Sequence, residues 1–321
     1  MPLKTPSFWY QEFGLKAALL KPVSLLYYAV HLLNQKLKTP YQSSIPVLCV
    51  GNIVMGGSGK TPTVLALIDL VQKNKLAKNP VILTRGYGGI IKRPTVVDTE
   101  THTHEQVGDE ALLLAQKATV IVSPNRAQGA KKAEELRSDL IIMDDGFQNN
   151  SLNKDISLLV VDGINPFGNN QLFPAGPLRQ TIKSALNQSD TIISIGPKIE
   201  TEHAQFSASI EAEKSTLNLE RNYVAFAGLG RPEKFKKTLE DLSVKITTWN
   251  AFADHHPYSN KECEALLSIA KENDAELITT EKDWVRLPAD MQKKTKTLPI
   301  SLSFDQDEKF ISFLKERLKK C

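Results

Sequence analysis

Cysteine is scarce in this chain. Its three cysteines, Cys49, Cys263 and Cys321, lie far apart and form no C-x-x-C pair. So odd and sparse a set excludes a disulfide scaffold and a zinc ribbon and suits a reducing compartment. Long apolar runs are missing too. The longest, Pro22 to Leu33, covers about 12 residues, where a membrane span needs about 20. The run from Ala17 is broken by Lys21-Pro22 and no small-residue cleavage site follows, so no signal peptide is expected. An excess of one charge is absent from the body of the chain. The net charge of +4 resides in the first 40 residues, where Lys4, Lys16, Lys21, Lys36 and Lys38 face a single acid, Glu12. Beyond residue 40, basic and acidic side chains are equal in number. A nucleic-acid binder carries a basic face on its folded domain, so nucleic acid is not an expected partner.

The chain is otherwise ordinary for a folded protein of one or two domains. It has 321 residues, 41% hydrophobic and 24% charged, with no repeat or low-complexity tract. The first 40 residues also hold six of the aromatics: Phe8, Trp9, Tyr10, Phe13, Tyr27 and Tyr28. Basic, aromatic and aliphatic side chains together suit a lipid headgroup layer. Residues 1–40 are therefore expected to be a helical leader lying on a membrane surface; the alternative is a helix packed on the protein's own core.

Short Val-, Ile- and Leu-rich segments then alternate with amphipathic ones. Strands are expected at Ile45–Val50, Val81–Thr84, Thr119–Val122, Leu140–Met143, Ile156–Val161 and Thr191–Ile195. Helices are expected at Thr61–Asn74, Asp109–Gln116 and Arg126–Arg137. Strands this apolar are buried on both faces, and the alternation predicts an α/β fold with a parallel sheet covered by helices. After Ile195 the texture changes. His203–Glu213 is an isolated polar–apolar alternation. It is followed by strands at Tyr223–Ala227, Val244–Trp249 and Glu276–Thr280, and by helices at Glu262–Asn273 and about Asp307–Lys319. The expected division is a core domain over 41–205 and a smaller α/β domain over 206–321, with a boundary near 203–222.

The sharpest motif is GNIVMGGSGKTP, residues 51–62, between a strand and a helix. That context marks a phosphate-binding loop. Gly56, Gly57 and Gly59 allow successive N–H groups to curl toward phosphate oxygens. Lys60 reaches the β- and γ-phosphates, and the Thr61 hydroxyl holds Mg²⁺. Val54, Met55, Gly56, Gly57, Ser58, Gly59, Lys60 and Thr61 are thus the expected nucleotide site. The pattern G-x-x-x-x-G-K-S/T wants glycine at position 54, where Val54 stands. A second element, the strand ending in Asp144-Asp145, places carboxylates where nucleotide-binding folds position Mg²⁺. ATP and Mg²⁺ follow as expected ligands.

Eight blocks in order then carry a resemblance: GNIVMGGSGKTP, TRGYGG (84–89), VGDE (107–110), DDGFQ (144–148), PAGPLR (174–179), AFAGLGRPEKF (225–235), FADHHPY (252–258) and TTEKDWVRL (279–287). Together they closely resemble the tetraacyldisaccharide 4′-kinase family, the lipid A 4′-kinases. The Trp9…Pro22…Tyr27 pattern resembles that family's leader helix. The resemblance implies transfer of the γ-phosphoryl of ATP to the 4′-hydroxyl of a tetra-acylated glucosamine disaccharide 1-phosphate, giving lipid IVA. It also implies a peripheral enzyme on the cytoplasmic face of the bacterial inner membrane. The implied fold is a P-loop kinase of two domains, joined by two strands and closing on ATP. By the same resemblance Asp109 and His255 activate the acceptor, with His256 the alternative histidine and Asp254 a group able to orient either ring. Asp144 and Asp145 match the metal and catalytic acids, Asp145 joining Lys60, Asp109 and His255 as catalytic. Arg126 matches an arginine near the site. From the residues alone, Asp109 also reads as a helix N-cap and His255 as a loop hydrogen-bonder. Three positions depart from the family pattern. Asn149 stands for His, which leaves only a hydrogen-bonding role. Ala111 follows VGDE in place of Pro. Gln180 follows PLR in place of Glu. Two rivals remain at this stage. A membrane-cycling P-loop ATPase would carry Lys where Met55 stands. A nucleotide-gated scaffold would consume no ATP on an acceptor.

Overall fold

A computed structural model describes residues 6–36, 39–230 and 232–320. Lys4, Lys38 and Cys321 lie outside the described residues. Thirteen strands run in chain order: β1 Val47–Gly51, β2 Pro80–Thr84, β3 Thr95–Val96, β4 Val120–Val122, β5 Leu140–Asp144, β6 Ile156–Asp162, β7 Thr191–Ile195, β8 Gln205–Ala212, β9 Asn222–Ala227, β10 Lys245–Ala251, β11 Ala275–Thr280, β12 Thr295–Leu298 and β13 Ile300–Phe304. They form two sheets. The larger has nine strands in the order β13-β8-β7-β6-β1-β5-β2-β4-β3, and the smaller is β10-β9-β11-β12. Seven adjacent strands of the large sheet, β8 to β4, pair in parallel; β13 and β3 close its two edges antiparallel. The small sheet is parallel throughout.

The unbroken apolar runs are explained by burial on both faces. In β1, Leu48 and Val50 enter one core while Val47 and Cys49 enter the other. In β5, Leu140 and Ile142 alternate with Ile141 and Met143 in the same way. Helix Lys60–Lys73 covers one face through Val64, Leu67, Ile68 and Val71. Helix Arg126–Glu135 covers the other through Ala130 and Ala133. The small sheet repeats the pattern, with Val224 and Phe226 on one side and Tyr223 and Ala225 on the other.

The sheets do not divide at residues 205/206. The alternation at 203–213 is no isolated linker: β8 pairs in parallel with β7 and antiparallel with β13. The terminal helix Asp307–Leu318 also returns to the large sheet. The cause is apolar. Leu302, Phe304, Phe310 and Leu314 are buried with the side chains of β1 and β5, and Phe310 packs against Phe206, Phe304 and Phe313. Strand β12, the edge strand β3 and the helices Ile182–Gln188 and Pro232–Asp241 were not expected. Strands β3 and β12 and the helix Ile182–Gln188 are short, whereas the polar helix Pro232–Asp241 buries Phe235 and Leu239, four residues apart.

The leader is one helix, Leu15–Lys36, continuous through Pro22 and preceded by a 3-10 turn at Ser7–Tyr10. It is pinned at a few points. The Trp9 indole N–H donates to the Pro174 carbonyl (3.0 Å), and the Ser24 hydroxyl donates to the Leu172 carbonyl (2.9 Å). Leu15, Leu19, Val23, Leu25, Leu26 and Leu33 are each more than half exposed. Among the described residues no helix is long and apolar enough to cross a membrane.

Phe310→Ala is expected to destabilise the large-sheet unit by about 3–5 kcal/mol, because it leaves a cavity beneath the sheet. Denaturant unfolding with a large-sheet probe measures it; an unchanged midpoint would place the terminal helix outside that core.

Candidate active site

Three motif loops meet at the carboxyl ends of the central strands. The first follows β1. Only Gly56 (φ 115°) and Gly59 (φ 80°) adopt left-handed backbone in it, and a Cβ on Gly59 would strike Ile195. Val54 forms an antiparallel bridge with Leu178, and the next N–H, of Met55, donates to the Pro177 carbonyl (2.8 Å). A valine therefore fits where the general pattern has glycine. Asn52, fully buried, ties the loop from within by donating to the Val54 carbonyl and the Ser58 hydroxyl. Helix Lys60–Lys73 opens with Gly59 as N-cap and no side-chain cap. A free helix N-terminus after a glycine-rich turn favours an anion. Tyr10, Val54–Ser58, Asp162 and Asn165 wall a concavity over this loop.

The second loop follows β5. Asp145 takes a left-handed conformation (φ 46°) that turns its carboxylate toward Lys60 (3.7 Å) and Arg179 (3.2 Å). Burial pushes the Asp145 carboxyl up, but the Lys60 and Arg179 charges outweigh it and hold the group below its ordinary value. Asp144 is the opposite case. It is 2% exposed and accepts from the Thr84 hydroxyl (3.1 Å). Among the described residues no basic side chain comes within 4.0 Å of its carboxylate. Burial, and then the negative charges of Glu110 and Asp145, raise its pKa to about 7. Arg126 is buried behind the pair, donating to the Ser123 carbonyl (2.7 Å) and the Asp144 carbonyl (3.2 Å), and burial lowers its pKa to about 10.

The third meeting joins the two sheets. TRGYGG and VGDE pack backbone against backbone: a Cβ on Gly108 would lie 2.4 Å from the Tyr87 carbonyl. This sets Asp109 at the start of helix Asp109–Ala115. One of its carboxylate oxygens accepts from the Glu110 N–H (2.8 Å), and the other lies 2.8 Å from His255 Nδ1. Burial pushes the Asp109 carboxyl up, but the His255 hydrogen bond and the charges of Lys282, His255 and Arg286 carry it below its ordinary value. An ionised carboxylate only accepts, so Nδ1 carries the hydrogen of this bond and Nε2 lies outside it. His255 is itself left-handed (φ 55°), and its ring packs on Tyr87. His256 is elsewhere: its Nε2 meets Glu262 (2.9 Å), the residue that closes the capping box of helix Asn260–Glu272. Asp254 reaches His255 Nε2 at 3.9 Å only.

The structure thus brings Lys60, Asp144 and Asp145 into one cluster, and Asp109 and His255 into another, linked through Glu110. Asn149 stands aside, accepting from the Ser151 N–H (3.0 Å) and hydroxyl (2.9 Å), a turn role open to a neutral side chain. Gln180 is buried between Gln148 and Gln188. Sequence reasoning assigned no role to Asn52, Thr84, Glu110, Arg179, Lys282 or Arg286. The PAGPLR and TTEKDWVRL blocks contain three of them, and a cation in a recurring block was the available signal. A cavity of about 360 Å³ lined by Phe147, Asn149, Lys154 and Ser157 holds none of the expected catalytic or nucleotide residues.

Comparison with known proteins agrees with this geometry. The sequence profile described as Tetraacyldisaccharide-1-P 4′-kinase matches residues 16–319. The chain belongs to that family. A Tetraacyldisaccharide 4′-kinase of Nitrobacter winogradskyi is 39% identical over 99% of this chain and 98% of its own. That of Paramagnetospirillum magneticum is 41% identical over 94% and 95%. Among solved structures, an "apo" form of LpxK from Aquifex aeolicus in complex with ATP superposes with a TM-score of 0.79. It has 27% identity and covers 94% of this chain and 99% of that one. The α/β fold with its large, mainly parallel sheet is therefore that of the family.

The raised carboxyl of Asp144 has a consequence for stability. Such a group stabilises the fold while protonated, fully below its unfolded value of 3.8, and that stability is lost as pH rises through about 7. Asp144→Asn lacks the titration. Its melting temperature is expected to gain on the wild type as pH rises from about 4 to about 8; parallel curves would show that Asp144 is not held protonated.

Proposed function

We propose that this family member is an ATP-dependent kinase that phosphorylates the 4′-hydroxyl of a tetra-acylated glucosamine disaccharide 1-phosphate. The observation that carries the reading is the contact of Asp109 with His255 (2.8 Å), made between the units of the two sheets beside the Lys60–Asp145 cluster. An alcohol is a poor nucleophile and needs a base within hydrogen-bond reach. His255 Nε2 takes the hydroxyl proton, and Asp109 fixes the tautomer and supports the imidazolium that forms. The loop Val54–Thr61 cradles the triphosphate with its N–H groups. Lys60 faces the charge that shifts as the phosphoryl group moves, and is oriented by Asp145. Because the base sits on one unit and the phosphate loop on the other, acceptor activation requires the two to meet, which limits hydrolysis by water.

Mg²⁺ fits the same cluster. Asp144 is a buried carboxylate with a hydroxyl donor and no paired cation, and a hard cation with oxygen ligands answers that deficit. Thr61, Asp144 and Asp145 would hold it, with Asp144 the freest ligand because Lys60 and Arg179 already engage Asp145. When bound, Mg²⁺ neutralises charge on the β- and γ-phosphate oxygens.

The leader gives the enzyme its surface. Its outward leucines, with Lys16 and Lys21 among them, suit the headgroup layer of an anionic bilayer, and so a peripheral location on the cytoplasmic face of the inner membrane.

Purified protein is expected to consume ATP only when the acylated disaccharide 1-phosphate is present, and Lys60→Ala to lose at least about 10²-fold in kcat. Acceptor-independent hydrolysis at the same rate would instead make the protein an ATPase. Replacing Leu19, Leu26 and Leu33 by Ser is expected to weaken flotation with anionic vesicles, each buried leucine contributing about 1.5–3 kcal/mol. Turnover of detergent-dispersed acceptor should persist; undiminished flotation would make the leader a structural element only.

A further inference from the structure

Arg286 lies just past the helix Glu281–Trp284 and is 3% exposed. A guanidinium presents its donors in a rigid planar fork, so what it bonds it also orients. Nη2 donates to the Asp283 carboxylate (2.6 Å) and to the Gly228 carbonyl (3.0 Å). Nη1 donates to the His256 carbonyl (3.3 Å), and Nε to the Lys282 carbonyl (3.1 Å). Nε also lies 3.6 Å from the Asp109 oxygen that meets His255. The fork is itself fixed. Asp283 is fully buried and accepts in addition from the Gly228 N–H (2.8 Å) and the Tyr258 hydroxyl (2.7 Å).

These partners bracket His255. The His255 N–H donates to the Gly228 carbonyl (3.2 Å), one of the three carbonyls that Arg286 holds, and His256 carries another. The backbone of His255 is left-handed, a conformation a non-glycine residue keeps only where its surroundings impose it. A buried cation also needs carboxylates near it. Arg286 has one on its own unit, Asp283, and one on the other, Asp109.

We propose that Arg286 is the positioning residue of the Asp109–His255 pair. Its fork fixes the loop that aims the imidazole, and its charge holds the Asp109 carboxylate opposite the ring. The proposal rests on the acceptor-activating reading of that pair. Among the described residues, the charged and titratable groups facing the pair are Tyr87, His104 and Glu110 from the first unit, and Asp254, Lys282 and Arg286 from the second, with Asp283 behind Arg286.

The test uses the full chain as wild type, Arg286→Lys and Arg286→Gln, with Asp109→Ala and His255→Ala as controls. It measures kcat and KM for ATP and acceptor across pH, together with ring resonances of ¹⁵N-labelled histidine. Lysine keeps the charge but not the fork. Arg286→Lys is expected to lose roughly 10²-fold in kcat, as misplaced catalytic groups do, with KM for ATP unchanged and the acidic limb of the pH profile unmoved. Arg286→Gln is expected to lose kcat similarly and to move that limb to higher pH, because the pair holds its proton more tightly without the cation. His255 ring signals should move in both. Wild-type kcat in Arg286→Lys with unmoved ring signals overturns the proposal, and so does an Arg286→Lys chain that fails to fold, which would make the residue a stability element. An unmoved limb in Arg286→Gln overturns the electrostatic half. If Asp109→Ala and His255→Ala keep wild-type kcat, the underlying reading fails, and the proposal with it.

Discussion

Crowded negative charge out of water shapes the centre of this molecule. Asp109 and Asp144 are almost wholly buried, with Asp145 and Glu110 beside them. Like charges so placed repel strongly, and each must be met by a cation or a proton. Asp145 is met by Lys60 and Arg179, Asp109 by His255 and Arg286, and Glu110 by Lys282. Asp144 is met by none of these and responds by holding a proton to about pH 7. The positions of the three motif loops follow from this pairing. His255, Lys282 and Arg286 belong to the second unit, so the same electrostatics that shapes the site also joins the units.

Much of the architecture was legible because it is written in contiguous residues. An apolar strand, a glycine turn and Lys-Thr must be adjacent for a phosphate loop to form, so Lys60 and Thr61 could be named without a structure. The alternation of β1 and β5 between two cores shows in their unbroken apolar sequence. Asp109 and His255 were different. Each alone reads as a cap or a loop hydrogen-bonder; in the structure Gly108 is the N-cap and Asp109 is the first residue of the helix, accepting only from the neighbouring Glu110 N–H. Only the family resemblance joined residues 146 positions apart. It named His255 with His256 as the alternative; in the structure His255 meets Asp109, whereas His256 meets Glu262.

What stayed hidden depends on three-dimensional partners. Apart from standing in the PAGPLR and TTEKDWVRL blocks, Arg286, Lys282 and Arg179 carry no local pattern that distinguishes them from solvated cations. Thr84 is one more β-branched strand residue until Asp144 is placed beside it. Val54 looked like a defect in the loop until its bridge with Leu178 showed that glycine is needed only at 56 and 59. The return of β13 and the terminal helix was hidden for a related reason. The alternation of β8 showed in its sequence, but nothing in either segment marks β13 as its partner.

That return fixes an order of events during synthesis. The whole small sheet, β9 to β12, leaves the ribosome before β13 and the helix bearing Phe310. Strands β1 to β8 of the phosphate-loop unit emerge before the small sheet, yet their apolar face on the side of Leu48 and Val50 stays without Phe304, Phe310 and Leu314 until β13 and the helix Asp307–Leu318 follow. The nascent chain therefore carries an unfinished nucleotide-binding half past a neighbour that already has all its strands. Emergence of β13 and the helix Asp307–Leu318 closes the hydrophobic core of the half that was made first.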